Sequence, residues 1–497
     1  MASGGYAFKD AAGIAMEDRH RRSVLTKITI KSDKARAARL SADFHQNTDA
    51  IRSLGAAIKD RALADLPGHL ESFIDRFEQR GGVVHYAADA AEARSIIRDL
   101  CQQAVQLRAA DAPAGPCRVV KAKSMATEEI HLNHALEAAG VHVTETDLGE
   151  YVVQVGGRRP THIVTPIIDM SRGDVSDIFA DRLGQPRTDD PATLTMQARS
   201  LLREAFQRAD VGISGGNFLV AQTGTLVLCT NEGNCDLSIS APRMHIALVG
   251  VEKVVATWAE AAVLLKLLAR SGTAQPITVY TSLIHGPRQP GEHDGPEQLH
   301  LVLLDAGRSR VLSQEAYVEA LRCLRCGACL NACPVFRQIG GQPYGGIYSG
   351  PIGKVLTPLL EGEQTYCDLP NASSLCGACL EACPVRIDIP RMLLDLRADQ
   401  VRRRERPLAE RTAFATWVRA IGSRRLYEAG QRLFRWGVRS AADPNGYLQS
   451  LPIAPGWTGV RDLPVPAEKS FRELWRQSNG AFFAPIPPAD TKPPRES

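Results

Sequence analysis

Twelve cysteines occur in the 497 residues, and eight of them fall between Cys323 and Cys383. The first group reads Cys323-x-x-Cys326-x-x-Cys329-x-x-x-Cys333-Pro334, and the second reads Cys376-x-x-Cys379-x-x-x-Cys383-Pro384. This is the spacing of iron–sulfur ligation: three thiolates wrap around one cluster, the fourth crosses to a second cluster, and the proline turns the chain away. The small residues between them (Gly327, Ala328, Gly377 and Ala378) leave room for backbone N–H groups to face the sulfurs. On this logic Cys323, Cys326, Cys329 and Cys383 hold one cluster, and Cys333, Cys376 and Cys379 hold the other.

The second set is one ligand short, because Ser373 stands where a full repeat would place a cysteine. Three arrangements remain open: Cys367 supplies the fourth ligand, a non-cysteine group does so, or that iron is missing and the cluster is [3Fe-4S]. The expectation is two [4Fe-4S] clusters, the second with an irregular fourth ligand. Zinc is the plainer use of paired cysteines. Zinc knuckles fill four tetrahedral positions with separate C-x-x-C pairs, whereas here three cysteines run together and both motifs end before a proline. A disulfide framework is expected less, since residues 1–22 show no apolar h-region of a secretory signal.

These motifs need elements to position them. Net charge is +4 with 44% hydrophobic residues, a globular balance that does not point to nucleic acid. The basic run Arg19-His20-Arg21-Arg22 follows a polar start, and no run of 18 apolar residues suggests a membrane span. With thiols that must stay reduced until loaded, the expected location is the cytoplasm.

Residues 1–65 read as an N-terminal helical region, with a helix over 34–64. Residues 66–308 read as an α/β domain with a mostly parallel sheet. Strands are expected at 83–86, 118–121, 141–144, 151–154, 162–165, 226–229 and 300–304. Helices are expected at 90–104, 127–139 and 192–209. Residues 309–395 form an α-helical two-cluster domain, entered through a helix over 313–323 and carrying another at 352–360. Residues 396–483 form a basic helical C-terminal domain, and the proline-rich, charged tail 484–497 reads as disordered.

Inside the α/β domain, Gly212-Ile-Ser-Gly-Gly-Asn-Phe218, Ala221-Gln-Thr-Gly-Thr225 and Thr230-Asn-Glu-Gly-Asn234 interleave glycines with small polar residues. Such runs line anion sites but are also ordinary tight connections, and without a dinucleotide fingerprint the structural reading is preferred. Lys121, Lys123, Ser124 and Glu128 sit at a strand-to-helix junction, where ligand sites of α/β sheets lie. The preferred reading there is a Ser124 or Thr127 helix cap with solvated lysines. Cys101, Cys117, Cys229 and Cys235 lack ligand spacing and read as unpaired thiols, and His131 and His134 as polar helix surface. In the C-terminal domain Phe414, Trp417, Val418 and Ile421 recur at helical spacing beside many arginines. That pattern suits an anionic membrane surface or, as preferred, packing against the cluster domain or a partner.

A resemblance joins these pieces. The segments Val120-Lys-Ala-Lys-Ser-Met125, Ser214-Gly-Gly-Asn-Phe218, Gln222-Thr-Gly-Thr225, Asn231-Glu-Gly-Asn234, Asp294-Gly-Pro296 and Gly350-Pro-Ile-Gly353, both cysteine motifs and the closing Pro455-Gly-Trp-Thr458 and Arg461-Asp-Leu-Pro464 together resemble the lactate utilisation protein B family. The resemblance implies an α/β lactate-utilisation domain similar to sugar-phosphate isomerases and formyltetrahydrofolate cyclo-ligases, a two-cluster ferredoxin-like insert and a helical C-terminal domain. It implies an iron–sulfur electron-transfer subunit in the oxidation of L-lactate to pyruvate, working with other subunits of a lactate-utilisation system toward an electron acceptor of unspecified kind. The ligands it implies are the same seven cysteines. The alternative is that the α/β domain is itself a ligand-binding catalytic module with the clusters as local redox partners.

Overall fold

The structure is a computed structural model in which residues 6–108, 115–405, 408–451, 458–459 and 461–478 are described. Contacts divide the chain into two compact units, Met1–Arg403 and Arg404–Ser497. The expected tail 484–497, and the 455–457 part of the closing motif, lie outside the described residues.

The first unit is centred on six parallel strands: β1 (Val83–Ala87), β2 (Arg118–Lys121), β3 (His142–Glu145), β4 (Val211–Ser214), β7 (Met244–Gly250) and β10 (Gln298–Leu304). Their order is β1-β10-β7-β4-β2-β3. β7 is buried at every position, and β10 at all but its first, as strands covered on both faces must be. The helix Ala90–Gln106 covers one face. Asp89 caps it by accepting the Ala91 and Glu92 N–H groups, and Ala93, Ile97, Leu100, Cys101 and Ala104 form its buried stripe. Cys101 and Cys117 belong to this core. A smaller sheet, in the order β8-β5-β6-β9, joins β5 (Phe218–Val220), β6 (Thr225–Thr230), β8 (Val254–Val255) and β9 (Tyr280–Ile284). Its β5–β6 turn requires Gly224, at φ +62°, where a Cβ would lie 2.6 Å from the Phe77 nitrogen.

Several local expectations change. The strand expected at 151–154 is part of the helix Leu148–Val155, because Asp147 caps that helix at the Glu150 N–H and Tyr151 and Val152 pack against Phe179 and Leu194. Local β-propensity yields there to a cap and a core contact. No strand forms at 162–165: His162 Nδ1 accepts the N–H groups of both Val164 and Thr165, and the Thr161 N–H reaches back to the Pro166 carbonyl. The helix expected over 127–139 is two, Met125–Glu129 and Leu132–Ala138, broken at His131 with φ +49°. The helix expected over 34–64 is likewise two, Arg19–Phe44 and Thr48–Ala64, broken at His45 with φ +49°. Entry to the first cysteine motif is a 3-10 turn, Val318–Arg322, where a continuous helix over 313–323 was expected.

The N-terminal helices serve the cysteine segment. The helix Arg19–Phe44 packs on the short helix Ala328–Ala332, and Asp33 pairs with Arg337 at 3.1 Å. From the helix Thr48–Ala64, Arg52 donates to the carbonyls of Cys383 (2.9 Å) and Leu380 (2.8 Å).

In the second unit, the helices Leu408–Gly422 and Arg424–Ala441 pack together, and the helix Phe471–Gln477 starts with a Ser470–Glu473 capping box. Arg435 and Arg439 pair with Glu473 and Glu468, so acidic partners occupy part of the basic face. Leu426, Leu433 and Trp436 stand exposed. Among the described residues no helix is long and apolar enough to cross a membrane.

Candidate iron–sulfur centre and adjoining cavity

Each cysteine motif forms a turn followed by a one-turn helix, and the two helices, Ala328–Ala332 and Ala378–Ala382, pack against each other. That contact crosses the motifs. Cys323, Cys326, Cys329 and Cys383 line one small void of about 20 Å³, although Cys383 follows the others by more than fifty residues. Cys333 lies close to Cys379 in the other turn, and the Lys354 ammonium lies near Cys333 and Cys379 and, less strongly, Cys329 and Cys376. The structure thus gathers Cys323, Cys326, Cys329 and Cys383 around one void and sets Cys333 near Cys379. Cys367 lies before the 3-10 turn Leu369–Asn371, its carbonyl accepting from Gln400 at 2.8 Å.

The donor set suits a multi-iron core. Burial pushes the Cys326 thiol up to about 12, and nearby Cys383 and Cys323 add to the rise. The Cys329 thiol is also raised well above its ordinary value, first by burial and then by Cys323, Cys326, Cys383 and Cys379. Thiols packed so closely hold one another protonated, and a cationic metal core is what converts such a set to thiolates. A cubane spreads its thiolates around a core of several atoms. Backbone N–H groups point at three sulfurs: Arg325 to Cys323 (3.4 Å), Phe336 to Cys333 (3.5 Å) and Ile387 to Cys383 (3.4 Å). Gly327 holds φ +74°, and a Cβ there would lie 2.6 Å from the His162 ring, so the turn closes only with glycine.

Against this centre lies a cavity of about 520 Å³ at the carboxyl ends of β2, β4 and β7. Lys123, Asn217, Glu232 and Lys253 line it from the α/β domain, and Arg325, Cys326 and Tyr348 from the cysteine segment. The Gly-rich run divides accordingly: Gly224 makes a turn, while Gly215, Gly216 and Asn217 form cavity wall. The expected cap is present, since Ser124 accepts the Thr127 N–H. The expectation of solvated lysines is overturned. Lys121 is fully buried between Glu145 (2.8 Å) and Glu128 (3.1 Å), whose charges outweigh the burial that would otherwise lower its pKa. Lys123 donates to the Val164 carbonyl at 2.8 Å. Cys229 and Cys235 also line the cavity, with burial pushing both thiols up to about 12.

A buried ion network joins the two walls. Arg308 donates to Glu252 at 2.5 Å and to both oxygens of Glu129 at 2.8 Å; Tyr348 donates to Glu129, and Arg325 reaches Glu252 at 3.4 Å. Burial alone would raise the Glu252 carboxyl, but Arg308, Lys253 and Arg325 hold it at about 2. The Arg325 guanidinium also stacks over the Tyr348 ring at 4.4 Å, leaving its Nε and Nη1 buried without partners. None of Glu252, Arg308, Arg325, Tyr348 or Lys354 was singled out from sequence. The available signals were the position of Arg325 between two thiols and the glycine-framed loop around Tyr348.

Comparison with known proteins follows this division. Residues 70–304 match the model of the LUD domain, 319–387 that of a 4Fe-4S dicluster domain, and 400–479 that of the C-terminal region of lactate utilisation protein B. Curated proteins named lactate utilization protein B from Bacillus thuringiensis (strain Al Hakam) and Bacillus cereus (strain AH187) are each 40% identical over 470 residues, covering 94% of this chain and 96% of theirs. A crystal structure of a DUF162 family protein from Deinococcus radiodurans aligns over 48% of this chain and 98% of that one, with 15% identity and a TM-score of 0.27.

Proposed function

This chain belongs to the lactate utilisation protein B family, and on that premise we propose that it is the iron–sulfur electron-transfer subunit in the oxidation of L-lactate to pyruvate. The observation that carries the reading is the crossing of the two cysteine turns, which gathers Cys383 with Cys323, Cys326 and Cys329 around one void. We assign those four to a first [4Fe-4S] cluster, and Cys333, Cys376 and Cys379 to a second. Such clusters take one electron at a time, so two in series let the two electrons of a hydroxy-acid oxidation leave singly. The chain's own residues supply a cationic setting for this. Lys354 is buried beside the second group, and Arg52 clamps the carbonyl of Cys383. Electrons enter from and leave to other subunits of the lactate-utilisation system, in the cytoplasm.

The test uses the full chain, reconstituted anaerobically with iron and sulfide. Broad visible absorbance, iron and sulfide contents matching two clusters, and reduction by L-lactate only when the partner subunits are present are the expected results. Zinc in the metal analysis, or colourless protein, would overturn the proposal. The cavity favours a second reading, in which the α/β domain binds a small ligand beside the first cluster. Calorimetric titration of the full chain with L-lactate, pyruvate and phosphate tests it, and heat that vanishes in Lys253→Met and Arg325→Gln is the expected signature.

A further inference from the structure

The two cysteine turns repeat one pattern after 50 residues, with Cys326 matched by Cys376, Cys329 by Cys379 and Cys333 by Cys383. The backbone repeats as well. Arg325 and Leu375 are both left-handed, at φ +61° and +54°, an uncommon state for bulky residues. Gly327 and Gly377 follow at +74° and +82°, then the helices Ala328–Ala332 and Ala378–Ala382. Cys333 and Cys383 close the pattern at φ/ψ of −77°/120° and −72°/122°. A 3-10 turn, Val318–Arg322 or Leu369–Asn371, precedes each.

At the head of the first turn, the Cys323 sulfur accepts the Arg325 N–H at 3.4 Å. At the head of the second, the Ser373 hydroxyl oxygen accepts the Leu375 N–H at 3.2 Å. The same local fold therefore sets Ser373 Oγ, relative to Cys376 and Cys379, where it sets Cys323 Sγ relative to Cys326 and Cys329. The competing thiol, Cys367, corresponds in the repeat to Tyr317, which is no ligand.

We propose that Ser373 Oγ is the fourth protein ligand of the second cluster, completing Cys333, Cys376 and Cys379; this rests on the two-cluster reading above. On ligation the hydroxyl gives its proton to solvent, which reaches the site at the exposed Cys376, and the alkoxide oxygen bonds to iron. No electron moves in that step. A hard oxygen donor favours the ferric state, so the second cluster has a lower potential than the same site with four thiolates.

Iron analysis, electron paramagnetic resonance and Mössbauer spectra of the reconstituted full chain test this in wild type, Ser373→Ala, Ser373→Cys and Cys367→Ser. Wild type and Cys367→Ser should have the same spectra and iron content. Ser373→Ala should lose one iron, giving a three-iron signal on oxidation, or show one altered iron site. Ser373→Cys should keep four irons and raise the potential of one cluster only. A Ser373→Ala protein with unchanged spectra, or a Cys367→Ser protein that loses the iron, overturns the assignment while leaving two clusters in place. Absence of any iron–sulfur signal in wild type would instead overturn the reading beneath it.

Discussion

Replacing Arg308 with methionine should uncouple the α/β domain from the cysteine segment, and the structure sets the size of the effect. Arg308 is 2% exposed; it donates to Glu252 at 2.5 Å, to both oxygens of Glu129 at 2.8 Å and to the Asp305 carbonyl at 3.1 Å. Removing it leaves the buried Glu252 and the largely buried Glu129 with Arg325, Lys253, Lys59 and the Tyr348 hydroxyl nearby. Breaking a buried pair on one side costs about 3–5 kcal/mol. A second route gives a similar figure: the Glu252 carboxyl sits at about 2 against an ordinary 4.5, and at about 1.4 kcal/mol per unit that is about 3 kcal/mol. The sign with pH follows. A depressed carboxyl contributes fully above about 4.5, and its contribution fades as pH falls toward 2. Denaturant unfolding of wild type, Arg308→Met and Arg308→Met/Glu252→Met at pH 7 and pH 4 is the assay. Expected are a loss of about 3–5 kcal/mol at pH 7, a smaller gap at pH 4 and partial recovery in the double variant. A loss below about 1 kcal/mol at pH 7, or a gap that widens in acid, would refute the reasoning.

Gly212→Ala should destabilise by about 1–3 kcal/mol, because its Cβ would lie 1.6 Å from the Ser238 carbonyl oxygen; a thermal midpoint equal to wild type would contradict this. His245, buried on β7 against Ser214, is pushed down to about 3 by burial and by His300. Below pH 6.5 the unfolded chain takes up a proton that the folded one refuses, so stability falls by about 1.4 kcal/mol per pH unit toward pH 3. His245→Gln should flatten that slope in acid titrations of stability. Lys354→Met removes a buried cation near Cys333 and Cys379 first and Cys329 and Cys376 after them, and should lower the potential of the proposed second cluster by tens of millivolts and that of the proposed first by less in a redox titration; unchanged potentials would place the ammonium elsewhere.

Cysteine spacing, apolar strand runs and capping residues were sufficient for much of this protein. The runs at 118–121 and 300–304 form strands of one sheet, and Ser124 caps the helix behind Lys121. Such signals are local, since each depends on residues within a turn or two of one another. The errors were local signals overruled from a distance: Tyr151 and Val152 are helical because Phe179 and Leu194 receive them, and Lys121 is dry because Glu145 lies opposite it on β3.

By itself, the order of residues determined that thiols arrive in two turns with a serine at the head of the second, and that a parallel α/β domain precedes them. Only the tertiary structure decided that the turns cross, so that Cys383 faces Cys323, and that Arg325 leans over Tyr348 into a cavity at the strand ends. The physical reason is that burial and charge are properties of space. Glu252 and Arg308 are separated by 56 positions and meet only because β7 and β10 are hydrogen-bonded neighbours.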